Sequence, residues 1–157
     1  MRKVACGSSL KPRIRPAKKE DLPAIQELEK ICFKEETFHK RQIEYLLLRA
    51  KSLVLVASLE GNIVGSIIIL LRKHIQNARI YSLNVHPSYR RIGIGGSLID
   101  QSENLLRKMG YRKLTLEAGV NNIAARNLYT SKGFSEIRKI EKYYKNGDDA
   151  LRFIKKL

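Results

Sequence analysis

The sequence is short of acid. Only 15 Asp and Glu stand against 31 Lys and Arg in 157 residues, a formal charge of +16. Between Glu60 and Asp100 there is no acidic side chain, while Arg72, Lys73, Arg79, Arg90 and Arg91 all fall there. Such a field draws polyanions. On composition alone nucleic acid, the ribosome and a phosphate-rich cofactor are equal candidates. Cysteine is scarce too. Cys6 and Cys32 are too few for a disulfide framework or a zinc site. Cys32 falls on the apolar side of a predicted helix, where a small core residue is expected rather than a nucleophile. His39, His74 and His86 have no metal-ligand spacing, so no metal is expected. Long hydrophobic runs are missing as well. The longest, 63–71, is broken by Gly65 and Ser66 and is far short of a bilayer span. Residues 1–11 carry early positive charge without the apolar stretch of a secretory leader. The expectation is a cytoplasmic protein without a membrane partner. Repeats and low-complexity linkers are also lacking, so one domain over 12–157 is expected behind a flexible tail, 1–11.

What is present is an alternation of strand and helix patterns. Residues 13–17 suit a short strand. Asp21-Leu22-Pro23 starts a helix, with proline in the first turn. Leu22, Ile25, Leu28 and Cys32 then recur at helical spacing. Thr37 is a cap for a second helix carrying Ile43, Leu46, Leu47 and Ala50. Residues 53–58 and 63–71 read as a hairpin around Glu60-Gly61-Asn62, and 78–85 as a further strand. A long helix is expected over about 95–109, with Leu98, Ser102, Leu105, Leu106 and Met109 as its buried stripe and Gly110 as its stop. A strand over 113–118 follows. A short helix capped by Asn121 or Asn122 runs to about Ser131. The strands 134–142 and 150–156 close a last hairpin, where Asn146-Gly147 favours a tight turn. The order β-α-α-β-β-β-α-β-α-β-β is a mixed α/β layer structure.

The segment from Val85 to Ser97 carries chemistry. A strand ends at His86-Pro87, a loop with Arg90, Arg91 and Gly93 follows, and a long helix begins near Gly95 and Gly96. A helix N-terminus offers unpaired N–H groups and partial positive charge to phosphate. Glycine lets the backbone approach the anion, and arginine adds charge-assisted bonds. The spacing is neither a P-loop nor a dinucleotide fingerprint: the Lys-Ser/Thr pair and the third glycine are both missing. An ordinary strand-to-helix turn with incidental arginines is the plain alternative.

At these residues the chain resembles the general N-acetyltransferase (GNAT) superfamily. Its cofactor motif, Arg/Gln-x-x-Gly-x-Gly/Ala, is matched by Arg90, Gly93 and Gly95. The resemblance runs from about Arg13 to Leu157 and is greatest to ribosomal-protein alanine N-terminal acetyltransferases and their archaeal relatives. Leu114-Thr115-Leu116-Glu117, Asn121-Asn122-Ile123-Ala124-Ala125, Leu128-Tyr129, Gly133-Phe134 and the stretch 143–150 carry it in the family's order. It implies a single mixed, mostly antiparallel sheet of about seven strands flanked by four helices. It also implies acetyl-coenzyme A as cosubstrate. Leu83, Asn84 and Val85 would hold the pantetheine arm and the thioester carbonyl through free backbone groups. Arg90, Arg91, Ile92, Gly93, Ile94, Gly95 and Gly96 match the pyrophosphate loop. Asn122 matches a pantetheine contact, a role compatible with capping its helix.

The implied chemistry is attack of an amine on a thioester, which needs a base for the ammonium proton and a donor for the departing thiolate. Glu117 matches the family's base and Tyr129 its general acid. The plain alternatives are a solvated strand-end charge and a packed tyrosine with a wet hydroxyl. The peptide groove implied by the resemblance lies between the first two helices and the last hairpin. This places Phe33, Glu35, Tyr143 and Tyr144 at the acceptor. Glu35 and Glu36 stand where relatives carry proline and an aromatic, and they would favour a basic or amine-rich acceptor. A protein N-terminus is the leading acceptor, because an α-amino group titrates near 8 and lysine near 10.4. A lysine side chain or a polyamine stays open. So does a ribosome-associated or nucleic-acid-binding module, although no recognition motif supports one. A monomer or weak homodimer is expected.

Overall fold

The computed structural model describes residues 11–32 and 40–157. Phe33, Glu35, Glu36, Thr37 and His39 lie outside the described residues, as does most of the predicted tail. Strand β1 (Arg13–Pro16) leads to helices α1 (Leu22–Cys32) and α2 (Lys40–Leu48). Strands β2 (Ser52–Leu59), β3 (Asn62–Arg72) and β4 (Asn77–Val85) form a meander. Helix α3 (Ile94–Lys108), strand β5 (Lys113–Gly119), helix α4 (Ile123–Ser131) and strands β6 (Ser135–Ile140) and β7 (Ala150–Lys156) complete the order expected from the sequence.

One seven-stranded sheet runs β1-β2-β3-β4-β5-β7-β6. Every neighbouring pair is antiparallel except β4 with β5, which α3 connects. The two faces follow from strand alternation. Leu55, Ala57, Ile67, Ile69, Leu114, Leu116 and Phe153 pack beneath α3 and α4, with Ile94, Leu98, Leu106 and Tyr129 from the helices. Val54, Val56 and Ile68 point the other way, against Ile25 of α1 and Ile43 and Leu46 of α2. Both faces of β2 and β3 are therefore covered, which explains why their sequences are nearly continuously apolar.

A bulge decides the shape of the centre. Ile68 pairs with Ser82 and Ile69 with Ile80, so Tyr81 is an extra residue in β4. Before it, Ala78 and Ile80 face α3; after it, Leu83 and Val85 do. A bulge bends its strand and disrupts the ladder. Here β4 pairs with β5 only through Asn77, Ala78 and Arg79, and the two strands then part.

Two expectations are corrected. Met109 is not in the buried stripe of α3: it caps the helix end and is 45% exposed, whereas Leu98, Ser102 and Leu106 are buried. Helix α1 starts at Leu22 as expected, and Asp21 ends a 3-10 turn, Lys19–Asp21, that leads straight into it. Its carboxylate accepts two bonds from Arg15 at 2.7 and 2.9 Å and one from the Lys18 N–H at 2.7 Å, tying β1 to the helix entry. The Arg15 guanidinium holds that carboxyl below the usual carboxylate range. Finally, Asn146-Gly147 does not close a two-residue hairpin. Strand β6 stops at Ile140, and Lys142 takes a left-handed φ of 49°. Its N–H donates to Asp149 Oδ1 at 2.9 Å, so 141–149 is a longer loop with one turn at Tyr144–Gly147.

Candidate active site

A cleft of about 590 Å³ opens between β4, the loop after it, the start of α3, and α4. Every cofactor residue expected from the sequence lines it except Ile92, which points to solvent. Cys32, Tyr89, Ala124, Ala125 and Leu128 line it as well.

The anion end is built from backbone. Ser97 donates the first intrahelical bond of α3, to Gly93 O at 3.0 Å. The N–H groups of Ile94, Gly95 and Gly96 are therefore left without helical acceptors, and no side chain caps them. Gly93 has φ of 88° at the helix entry, a conformation costly for any residue with a Cβ. Gly95 serves by size instead. A Cβ there would lie 3.3 Å from Leu128 Cδ2 and 3.7 Å from Val85 Cγ2, filling the slot between β4 and α4.

The two arginines of the loop differ. Arg91 is exposed at the mouth with a left-handed φ of 65°. Arg90 turns back: its Nε donates to Val85 O at 3.0 Å, and Nη2 approaches Cys32 Sγ at 3.7 Å. The Cys32 thiol itself donates to Val85 O at 3.6 Å, and burial pushes its pKa up. Cys32 is a strut between α1 and the end of β4.

Backbone groups alternate sides along a strand. The His86 N–H donates to Val64 O on β3, so the backbone of Asn84 also faces β3. Leu83 presents its N–H and C=O to the gap left by β5, and Val85 its N–H, since the Val85 carbonyl already accepts from Arg90 and Cys32. Of the three strand residues expected to hold the pantetheine arm, two have backbone groups facing the gap. Asn84 turns its side chain toward α1.

Asn122 caps α4, accepting from the Ala125 N–H at 3.1 Å, and also lines the cleft. Tyr129, two turns further along α4, is 7% exposed, with its ring against Phe134 and Phe153 at centroid distances of 5.7 and 6.1 Å. Burial pushes its phenol far above the ordinary tyrosine range, with a smaller push from Tyr144, so it stays protonated.

Glu117 lies on the opposite face of the sheet from Tyr129, since its neighbours Leu116 and Ala118 point into the core beneath α3 and α4. It is bracketed by cations, with Arg79 Nη2 at 2.9 Å and Arg152 Nη2 at 3.4 Å, and its side chain is only 4% exposed. The Tyr143 hydroxyl accepts from Arg79 at 2.8 Å and reaches Glu117 at 3.5 Å. Tyr144 packs edge-on against Tyr143. The structure thus brings Glu117 and Tyr143 together on the sheet face opposite Tyr129, with Tyr144 beside Tyr143 and near enough to act on the Tyr129 phenol. Sequence reasoning missed Arg79 and Arg152, which meet Glu117 only through the pairing of β5 with β4 and β7. Among the described residues no group of three or more His, Cys, Asp or Glu gathers to hold a metal ion. No described helix is long and apolar enough to cross a membrane.

Comparison with known proteins accords with this geometry. The acetyltransferase (GNAT) family model matches residues 22–134. The chain is 32% identical over 144 residues to an uncharacterized N-acetyltransferase of Methanocaldococcus jannaschii, covering 91% of this chain and 90% of that one. It is 28% identical over 149 residues to an N-alpha-acetyltransferase of Sulfurisphaera tokodaii, covering 88% and 89%. Among solved structures, the ribosomal-protein-S18-alanine N-acetyltransferase of Escherichia coli superposes with a TM-score of 0.84 at 25% identity, covering 93% of this chain and 94% of that one.

Proposed function

The chain belongs to the acetyltransferase (GNAT) family, and from that premise we propose that it acetylates the N-terminal α-amino group of a protein or peptide, with acetyl-coenzyme A as donor. The observation that carries this reading is the gap between β4 and β5. It leaves the far end of β4 without a strand partner beside the anion-binding cleft, while Glu117 and Tyr143 gather on the opposite face of the sheet. The cleft fits the donor. Its wide end has free helix N–H groups for phosphate, its slot is kept open by the missing Cβ of Gly95, and its strand edge is unpaired. When bound, the donor supplies an acetyl group activated as a thioester. An N-terminal acceptor is supported by the similarity to the N-alpha-acetyltransferase of Sulfurisphaera tokodaii.

The residues divide the work by face. Ile94, Gly95 and Gly96 hold phosphate through N–H groups, with Arg91 at the rim. The Leu83 backbone, the Val85 N–H and Asn122 hold the arm, and the Val85 N–H polarises a carbonyl in the gap. Glu117 takes the ammonium proton through water, since two guanidinium groups already occupy its oxygens. Tyr143 and Tyr144 orient the acceptor's backbone. Tyr129 donates a hydrogen bond to the departing sulfur. A thiol titrates near 8.5, well below the Tyr129 phenol, so the proton stays largely on oxygen while the thiolate leaves.

The test has two arms. Acetyl-coenzyme A should raise the melting temperature, because a ligand of the native state stabilises it. Matched peptides with a free and a blocked N-terminus, each carrying one lysine, should then differ, with acetylation confined to the free one. Equal acetylation of both peptides would assign the acceptor to lysine.

A further inference from the structure

Four polar side chains meet beneath α1, in an otherwise apolar layer. Glu29 and Ser66 are 0% exposed, Asn84 2% and Ser82 6%. Ser66 is the register partner of Asn84 across β3 and β4. Both oxygens of Glu29, both amide atoms of Asn84 and both serine hydroxyls are buried without a direct hydrogen bond of normal geometry among the described residues. The Glu29 carboxyl nevertheless lies against Asn84 and Ser82, which partly offset the rise that burial imposes on its pKa. Among the described residues no cation acts on it. The other ionisable groups it influences are the Cys32 thiol on its own helix and the Tyr81 phenol on β4.

Burial there disfavours the charged form and pushes the carboxyl's pKa up, toward the neutral acid. A neutral carboxyl has one O–H to donate, and Asn84 Oδ1 is an acceptor without a hydrogen bond of normal geometry among the described residues. Asn84 matters because of where it stands. The peptide groups on either side of its Cα carry the Leu83 C=O and the Val85 N–H, which face the gap. Strand β3 holds one edge of this stretch; the other has no β5 to hold it. One turn further along α1, Cys32 grips Val85 O in the same way.

Resting on the cofactor assignment above, we infer that Glu29 is a positioning residue. Its neutral carboxyl anchors Asn84 from α1 and thereby fixes the splayed end of β4 in the geometry that receives the pantetheine arm. Glu29→Gln keeps a neutral donor of nearly the same shape. Glu29→Leu keeps the volume and removes the donor.

The experiment measures coenzyme A affinity by titration calorimetry, KM for each substrate, and amide hydrogen exchange. Glu29→Gln should stay within about twofold of the wild type. Glu29→Leu should weaken coenzyme A binding and raise the acetyl-coenzyme A KM by at least about fivefold, with the peptide KM unchanged and faster exchange confined to Leu83 and Val85. Unchanged coenzyme A affinity in Glu29→Leu overturns the inference, and so does exchange that rises evenly across the sheet. Should Glu29→Leu not fold, Glu29→Gln decides alone, because a fivefold loss there means that the carboxyl itself, not a neutral donor, is required. A wild type that fails to bind coenzyme A sinks the cofactor assignment instead, which separates the two failures.

Discussion

Replacing Tyr129 with phenylalanine isolates one atom. The ring is wedged against Phe134 and Phe153, and neither contact involves the hydroxyl. Stability should therefore change by less than about 1 kcal/mol. What is removed is a donor aimed at developing charge. A hydrogen bond to a charged group contributes about 1.5–3 kcal/mol, which converts to a loss of roughly 10- to 150-fold in the chemical step. Because the acceptor of that bond is the thiolate rather than the thioester, the loss should fall on rate and leave coenzyme A affinity nearly intact. Single-turnover measurement of thiol release is the assay, since slow product release would otherwise mask the step. The pH dependence adds a second reading. Burial raises the phenol far above its ordinary value of about 10. The wild type should thus show no Tyr129-dependent loss of rate up to about pH 9.5, and the ratio of wild type to variant should stay flat over that range. A Tyr129→Phe variant that keeps the wild-type single-turnover rate refutes the donor role. A variant that loses affinity with its rate unchanged would move Tyr129 from chemistry to binding.

Two further outcomes follow from geometry already described. Gly95→Ala puts a methyl group in the slot beside Leu128, Val85 and Leu83. It should fold, with stability within about 1 kcal/mol, since alanine suits a helix better than glycine. Its acetyl-coenzyme A KM should nonetheless rise at least about fivefold, and an unchanged KM would place the arm elsewhere. Asp21→Asn removes the charge that Arg15 grips at the entry to α1. Because Arg15 is partly exposed, the expected loss is about 1 kcal/mol at pH 7. The folded-state pKa of Asp21 is lowered, so its contribution is fully present above the unfolded value of about 3.9 and disappears as pH falls through the folded one. Urea unfolding of both proteins should show the gap closing below about pH 4; a gap that persists there would point to packing instead of charge.

The elements were legible wherever one face repeats. Ile25 and Leu28 mark α1, and the glycine loop before α3 is readable because its chemistry is local. The bulge also left a trace: the inward residues of β4 step from Ala78 and Ile80 to Leu83 and Val85, an odd interval inside an even pattern. Other features were not available to periodicity. Glu29 reads as a solvated charge on a helix, and only the position of β4 beneath α1 buries it. Arg79 and Glu117 are joined by a parallel pairing, and Glu117 and Arg152 by a strand that is not next in sequence. Arg90, expected at the phosphate, lines the cleft and also donates its Nε to the Val85 carbonyl, a contact that no local pattern announces. The Asn-Gly turn was overridden by Asp149, which captures the backbone of Lys142 before the hairpin can close.

The parting of β4 from β5 also bears on cooperativity. Beyond Arg79 the ladder across the middle of the sheet is interrupted, so β1–β4 with α1 and α2 have only a short direct seam with β5–β7. Core packing under α3 is then the main coupling between the two halves. A donor seated in the gap would bond to the free edge of β4 on one side and to α4 on the other. It would act as a substitute strand, and its arrival should convert two regions that open separately into one unit that opens together.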